Sequence, residues 1–275
     1  MIDIIGQNQL RKHLDNIIDN DKFPRFTIIV GPEGSGKKTI CRYIAERMYL
    51  YWCYEPDNKV ETVRNAIWDA YKVSSPTMYV FTDVDDMSMQ AKNAMLKVTE
   101  EPPNNAYFIM TVSDLNNVLD TIKSRATVLY MQTYTASELT EYAKRYNDSD
   151  LYAHICTNPG DVDKLHEMGV KEFYDYVGKV VDNIAYVSLA NAFKIANKIA
   201  LKPDAEGYDM RLFLVVFIKI CVDRMTEDIE VADENKYWVD GIKIASKIAT
   251  QMRVTGISKS MLLDRFILEI RRVWG

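Results

Sequence analysis

The chain has only three histidines, His13, His154 and His166, and they share no ligand spacing. Its four cysteines (Cys41, Cys53, Cys156, Cys221) form no CxxC pair. Zinc held by Cys and His needs such spacing, and a disulfide framework needs cysteines crowded into a short chain, so neither is expected. The cysteines read as buried or free thiols in a reducing compartment, and the histidines as structural. No apolar run approaches the ~20 residues that a membrane helix requires. The opening residues, MIDIIGQNQLRKHLDN, carry charge from the start and hold no signal-peptide core. An excess of positive charge is also missing. Lys and Arg number 34 against 39 Asp and Glu, a formal net charge of -5. Such a chain does not grip nucleic acid over its whole surface, so any contact is local or shared with partners. Low-complexity segments and repeats are absent too.

What is there suits a globular protein with a proper core. Of 275 residues, 48% are hydrophobic and 27% charged, a length that fits two or three domains. Leu10, Leu14, Ile17 and Ile18 recur at helical spacing over 8–19, and Phe23-Pro24 stops that helix. FTIIV (26–30) is a fully apolar strand of the kind buried on both faces of a parallel sheet. A helix is expected from about Gly36 to Tyr51 and another over 60–72, where Val60, Val63, Ala66, Ile67 and Tyr71 share a face. Strands are expected at MYVFTDV (78–84), AYFIMTV (106–112) and TVLYM (127–131). Between them lie a helix over 88–101, capped by Ser88 and stopped by Pro102-Pro103, and a helical turn at 119–126. Strands alternating with helices imply a doubly wound sheet. After residue 132 the strands are expected to stop. TASELTEYAKRY opens with a threonine cap and Glu138 in capping position, and TNPG (157–160) is a turn. Long amphipathic helices follow, the last with Leu262, Phe266, Ile270 and Val273 on one stripe.

The stretch GPEGSGKKTI (31–40) stands between the FTIIV strand and a helix. In a phosphate-binding loop, Gly31, Gly34 and Gly36 let backbone N–H groups turn inward around a phosphate, and the helix adds its positive end. Pro32 and Ser35 complete the loop, and Lys37 is placed to reach the β- and γ-phosphates. The residue after that lysine supplies a hydroxyl to Mg²⁺ in a working loop. Here it is Lys38, whose ammonium cannot ligate a cation, and the hydroxyl comes one step later at Thr39. The second metal-holding element, an aspartate at a strand end followed by a water-orienting glutamate, falls in VFTDVDDM (80–87). In the register of the neighbouring motifs the aspartate position is Thr82 and the glutamate position Asp83. Sliding the frame by one makes Asp83 a degenerate Walker B aspartate and puts Val84 in the glutamate's place. Asp85 and Asp86 read as a solvated acidic turn.

IIGQ (4–7), GPEGSGK (31–37), NAMLKVTEEPP (93–103) and TIKSR (121–125), in that order, resemble the clamp-loader branch of the AAA+ ATPases, with the delta-prime type of subunit nearest. The resemblance covers essentially the whole chain, strongly to residue 132. It implies a P-loop AAA+ α/β domain over 1–132, a small helical lid over 133–172 and an all-α collar over 173–275. The implied assembly is a hetero-pentamer with other clamp-loader subunits, which opens a sliding clamp and surrounds primer–template DNA. The implied setting is the cytoplasm of a bacterium or a phage-infected host. ATP or ADP would sit between neighbours, each site completed by an arginine from the next subunit. The matching motif here is Ser124, Arg125 and Ala126, so the arginine is kept where the family's Ser-Arg-Cys loses its cysteine. The sensor position after AYFIMTV falls on Ser113, and the lid arginine position on Asp163, where a carboxylate repels phosphate. Only YEPDNK separates Cys53 from Val60, too short for the zinc-binding insertion of bacterial delta-prime subunits. Lys92 and Lys97 lie on the helix that faces DNA in the family, and a solvated helix face is an equal reading. The tyrosines at 49, 51, 54, 130 and 134 are expected in cores or interfaces.

Three functions follow from this sequence. One is a stator that binds nucleotide weakly, if at all, and lends Arg125 to a neighbour. The second is an active motor with Thr39 and Asp83 on Mg²⁺. The third, a stand-alone P-loop enzyme such as a small-molecule kinase, needs a substrate lid and a catalytic base, and the collar-like helices and NAMLKVTEEPP disfavour it.

Overall fold

A computed structural model describes residues 2, 4–55, 57–147, 149–196, 199–200, 208–227, 232–252 and 257–275. Contacts divide the chain into two units: Met1–Glu138 with Asn158–Gly160, and Leu139–Thr157 with Asp161–Gly275.

The first unit carries α1 (Asn8–Asp19), β1 (Phe26–Val30), α2 (Lys37–Arg47), β2 (Tyr51–Glu55), α3 (Val60–Ala70) and β3 (Thr77–Phe81). After these come α4 (Met89–Ala94), α5 (Leu96–Glu100), β4 (Ala106–Val112), α6 (Asp120–Lys123) and β5 (Thr127–Tyr130). The strands form one sheet in the order β2-β3-β4-β1-β5, all neighbours parallel. The strand that feeds the phosphate loop is thus separated by one strand from the strand that ends at Thr82. Side chains alternate faces along each strand. Phe26, Ile28, Tyr79, Phe81, Phe108 and Met110 pack with α3 and α4 residues on one face. Ile29, Met78, Val80 and Ile109 pack with Leu10, Leu14, Ile40 and Ile44 on the other. Every residue of β1 and β3 is buried, as an apolar run covered on both faces requires. Each such side chain contributes about 1.5–3 kcal/mol.

Several expected boundaries move. The second helix ends at Arg47 rather than Tyr51, because Tyr49 takes a left-handed φ of 54° and the chain re-enters the sheet as β2. The expected helix over 88–101 is two short helices broken at Met95. Its cap is as expected: the Ser88 Oγ accepts from the Ala91 N–H at 3.2 Å. The strand before Thr82 begins at Thr77 and closes at Phe81, ahead of a 3-10 turn over Val84–Asp86.

The helix α7 (Ala136–Ala143) begins with a reciprocal cap. The Thr135 N–H donates to Glu138 Oε2 at 2.8 Å, and the Glu138 N–H donates to Thr135 Oγ1 at 3.3 Å. The second unit continues with α8 (Ser149–Ile155), α9 (Pro159–Met168), α10 (Val170–Asn183), α11 (Leu189–Ala196), α12 (Met210–Glu227), α13 (Ala232–Gln251) and α14 (Lys259–Trp274). Strands do not stop at residue 132. A two-residue pair, β6 (Ile199–Ala200) and β7 (Tyr208–Asp209), runs parallel in this unit. On α14, Leu262, Phe266 and Ile270 are buried as expected, but Val273 is exposed and Trp274 takes its place. The indole stacks on Tyr237 at 4.3 Å and Phe217 at 5.5 Å, and its N–H donates to the Tyr237 carbonyl at 2.8 Å. His166 stacks on Tyr146 at 3.9 Å, and His154 pairs with Asp223 at 2.7 Å.

Candidate nucleotide site and arginine corner

At the end of β1, the Gly31 N–H donates to the Val112 carbonyl at 3.0 Å. A Cβ at Gly31 would stand 2.5 Å from the Met131 Cγ, so only glycine fits. Gly34 (φ 80°) and Gly36 (φ 88°) take the left-handed backbone that favours glycine. The Gly36 position is the N-cap of α2, and no side chain caps that helix. The N–H groups of its first turn therefore face the loop, an arrangement that suits an anion. Lys37 is buried, and its Nζ donates to the carbonyls of Gly31 at 2.7 Å and Pro32 at 3.0 Å. Burial lowers its pKa, and the charges of Asp83, Asp85 and Glu33 oppose that shift. Lys38 is exposed and Thr39 half-buried. Ser35 is buried, and its Oγ has no hydrogen-bond partner.

Opposite the loop, Thr82 is buried directly after β3 and Asp83 is exposed at a left-handed φ of 53°. The Asp83 N–H donates to Thr111 Oγ1 at 3.1 Å. Asn58, a residue not singled out from the sequence, donates through Nδ2 to the carbonyls of Thr82 at 2.7 Å and Asp83 at 3.3 Å. Its Oδ1 is buried without a partner. An amide just past a strand end was the available signal, since it offers two donors and an acceptor together.

Asp85 is not the solvated residue that the acidic run implied. Its carboxylate accepts from the Ser113 N–H at 2.7 Å, the Asp114 N–H at 3.0 Å and the Asn117 amide at 3.1 Å. It therefore ties the turn after β3 to Ser113 at the end of β4. Asp86 is exposed.

Arg125 lies at the surface, its side chain 39% exposed. Its Nη1 donates to the Thr121 carbonyl at 2.8 Å and Ser124 Oγ at 3.3 Å, and its Nη2 meets Glu100 Oε1 at 3.1 Å. Lys92 is turned inward. Its Nζ donates to the carbonyls of Asn117 at 2.8 Å and Asp85 at 3.3 Å, so this geometry carries no role for it at a DNA phosphate. Lys97 is exposed, its ammonium 5.6 Å from the Tyr71 ring centre. Tyr49, Tyr51 and Tyr130 are exposed rather than packed in a core. The side chain of Tyr54 lies outside the described residues. In the second unit, Asp163 accepts from the hydroxyls of Tyr142 at 2.8 Å and Tyr146 at 3.0 Å. Burial, then that carboxylate, pushes Tyr142 up to about 12.

A parallel five-stranded sheet in this order, with a glycine loop after β1 and a lysine opening α2, is the arrangement of a P-loop α/β fold. A family model described as DNA polymerase III, delta subunit, matches residues 54–135. The DNA polymerase III subunit gamma of Buchnera aphidicola is 25% identical over 171 residues, 51% of this chain and 47% of that one. The replication factor C small subunit of Halobacterium salinarum is 24% identical over 180 residues, 58% of this chain and 56% of that one. The matched region thus spans about half the length of these relatives. Among solved structures, a DNA polymerase III gamma subunit-related protein of Thermotoga maritima shares the fold. Its TM-score is 0.52 at 14% identity, over 94% of this chain and 99% of that one. The RuvB Holliday junction branch migration motor of the same organism also shares it, at TM-score 0.50 and 13% identity over 81% and 82%. The chain is thus similar, over about half its length, to proteins of the clamp-loader branch of the AAA+ ATPases. Among the described residues no helix is long and apolar enough to cross a membrane.

Proposed function

We propose that the chain is a delta-prime-like stator of a sliding-clamp loader, which lends Arg125 to the ATP site of a neighbouring subunit. The observation that carries this reading is the contrast between two residues. Arg125 stands at the surface, its guanidinium held by the Thr121 carbonyl, the Ser124 hydroxyl and the half-exposed Glu100, while the position after Lys37 is an exposed lysine that cannot hold a metal. A guanidinium stabilises the charge that spreads over a transferring phosphoryl group, an effect on the order of 10³–10⁵ in rate.

The chain's own loop fits a di- or triphosphate: its glycines clear the cradle, the first turn of α2 supplies donors, and Lys37 supplies charge. ATP or ADP bound there would present phosphates to those donors. The Lys37 ammonium would leave the carbonyls of Gly31 and Pro32 to meet them. Hydrolysis is poorly served, because Lys38, Thr82 and Asp163 replace groups that hold metal or sense the γ-phosphate. The second reading, a motor using Thr39 and Asp83, is favoured by one observation: Asp83, Asp85 and Glu33 lie near enough to Lys37 to act on its charge.

In this proposal 1–132 is the nucleotide domain, 133–172 a lid and 173–275 a collar that joins the other subunits of a hetero-pentamer. Ser113 stands at the sensor position and Lys97 is the candidate for primer–template contact. Titrating the isolated chain with ATP, with and without magnesium, tests the assignment. A stator gives weak or metal-independent binding. Tight binding that requires magnesium would establish the motor.

A further inference from the structure

The carbonyls of the phosphate loop are held one after another. Those of Gly31 and Pro32 accept from Lys37, and the Pro32 carbonyl also takes the Ser35 N–H at 3.2 Å. The Gly34 carbonyl accepts from the Gly160 N–H at 3.0 Å. The Ser35 carbonyl accepts from the Tyr134 hydroxyl at 2.9 Å. Tyr134 is in turn touched by the side-chain amide of Gln7, whose other contacts are the backbone of Gln132 at 2.8 and 2.7 Å. Residues 158–160 belong to the same unit as the loop, although the chain on either side belongs to the other. Asn158 is buried there, and its Oδ1 stands 2.3 Å from where a Cβ on Gly34 would be. A Cβ on Gly160 would fall 2.4 Å from the Gly34 Cα.

Carbonyls already held by partners are kept from turning toward an anion, and a phosphate is met by N–H groups instead. We propose that Tyr134 and the Asn158–Gly160 turn are positioning residues that hold the phosphate loop open for an anion: the phenol latches Ser35, and the Gly160 backbone latches Gly34. Burial raises the Tyr134 pKa and keeps the phenol a donor at neutral pH. That the anion is a nucleotide rests on the reading above. The latch itself does not, and its test has a readout free of nucleotide.

Hydrogen exchange at residues 31–39 is to be followed in the full chain without ligand, with β4 as the internal control. Tyr134→Phe keeps the ring and loses one neutral hydrogen bond, so loop amides exchange about fivefold faster while β4 is unchanged. Gly160→Ala adds a methyl against the Gly34 backbone. Because alanine favours a helix over glycine, faster loop exchange in that variant comes from the clash rather than from α9. ADP and Mg-ATP titrations of the same proteins give a second readout, with affinity about fivefold weaker in Tyr134→Phe. Faster loop exchange with no nucleotide bound by the unaltered chain would support the latch and end the nucleotide reading. Loop exchange unchanged in both variants would overturn the latch, whatever binds.

Discussion

The phosphate loop and the Arg125 corner belong to the same α/β unit but are held differently. Around the loop, the carbonyls of Gly31, Pro32, Gly34 and Ser35 are all engaged, and Lys37 is buried against them. At the corner, the guanidinium rests on a backbone carbonyl, a hydroxyl and a half-exposed carboxylate, all within reach of water. A surface ion pair is worth about 0–1 kcal/mol, so Arg125 can leave Glu100 for a stronger anion at little cost. The loop is built to keep a shape, and the arginine to change partners.

Unequal responses to substitution would sharpen that contrast, and equal ones would break it. Phe108, buried in β4 and stacked on Tyr79 at 5.3 Å, supports the sheet behind the loop. Phe108→Ala is expected to lower stability by about 3–5 kcal/mol in urea unfolding, whereas Arg125→Ala shifts it by less than about 0.5 kcal/mol. Similar losses would mean the corner is structural. Next in size is a restored metal site. Lys38→Thr with Thr82→Asp replaces an ammonium by a hydroxyl and supplies a carboxylate at the strand end. ATP affinity in magnesium should rise at least about tenfold, or about 1.4 kcal/mol. No gain would show that the loop's geometry, rather than the missing ligands, limits metal binding. The smallest effect belongs to Glu100→Ala. Loss of an exposed pair changes melting by less than about 1 kcal/mol, and turnover of a reconstituted loader by less than about threefold. A large fall in turnover would make Glu100 part of the arginine's working position.

The strands FTIIV and AYFIMTV were legible because each is apolar along nearly its whole length, a pattern that suits a strand covered on both faces. The edge strand at Tyr51 was not, since its aromatic residues continue the helical spacing before it and the turn at Tyr49 leaves no glycine or proline as a mark. The glycine loop showed itself through residue types that only a tight turn needs. Asp85, Asn58 and Lys92 were read wrongly or missed for one shared reason. Each is a polar residue whose partners are backbone groups far along the chain, and sequence spacing carries no trace of those. Trp274 displaced Val273 because the wider ring fills the space beside Tyr237 and Phe217.

Turnover by a reconstituted loader, with Lys37→Ala and Arg125→Ala of this chain compared side by side, tests the lending of the arginine most directly. The account predicts that Arg125→Ala lowers ATP hydrolysis by on the order of 10³ or more with assembly intact, while Lys37→Ala leaves it within about twofold. Loss of turnover in Lys37→Ala with Arg125→Ala unaffected would contradict it.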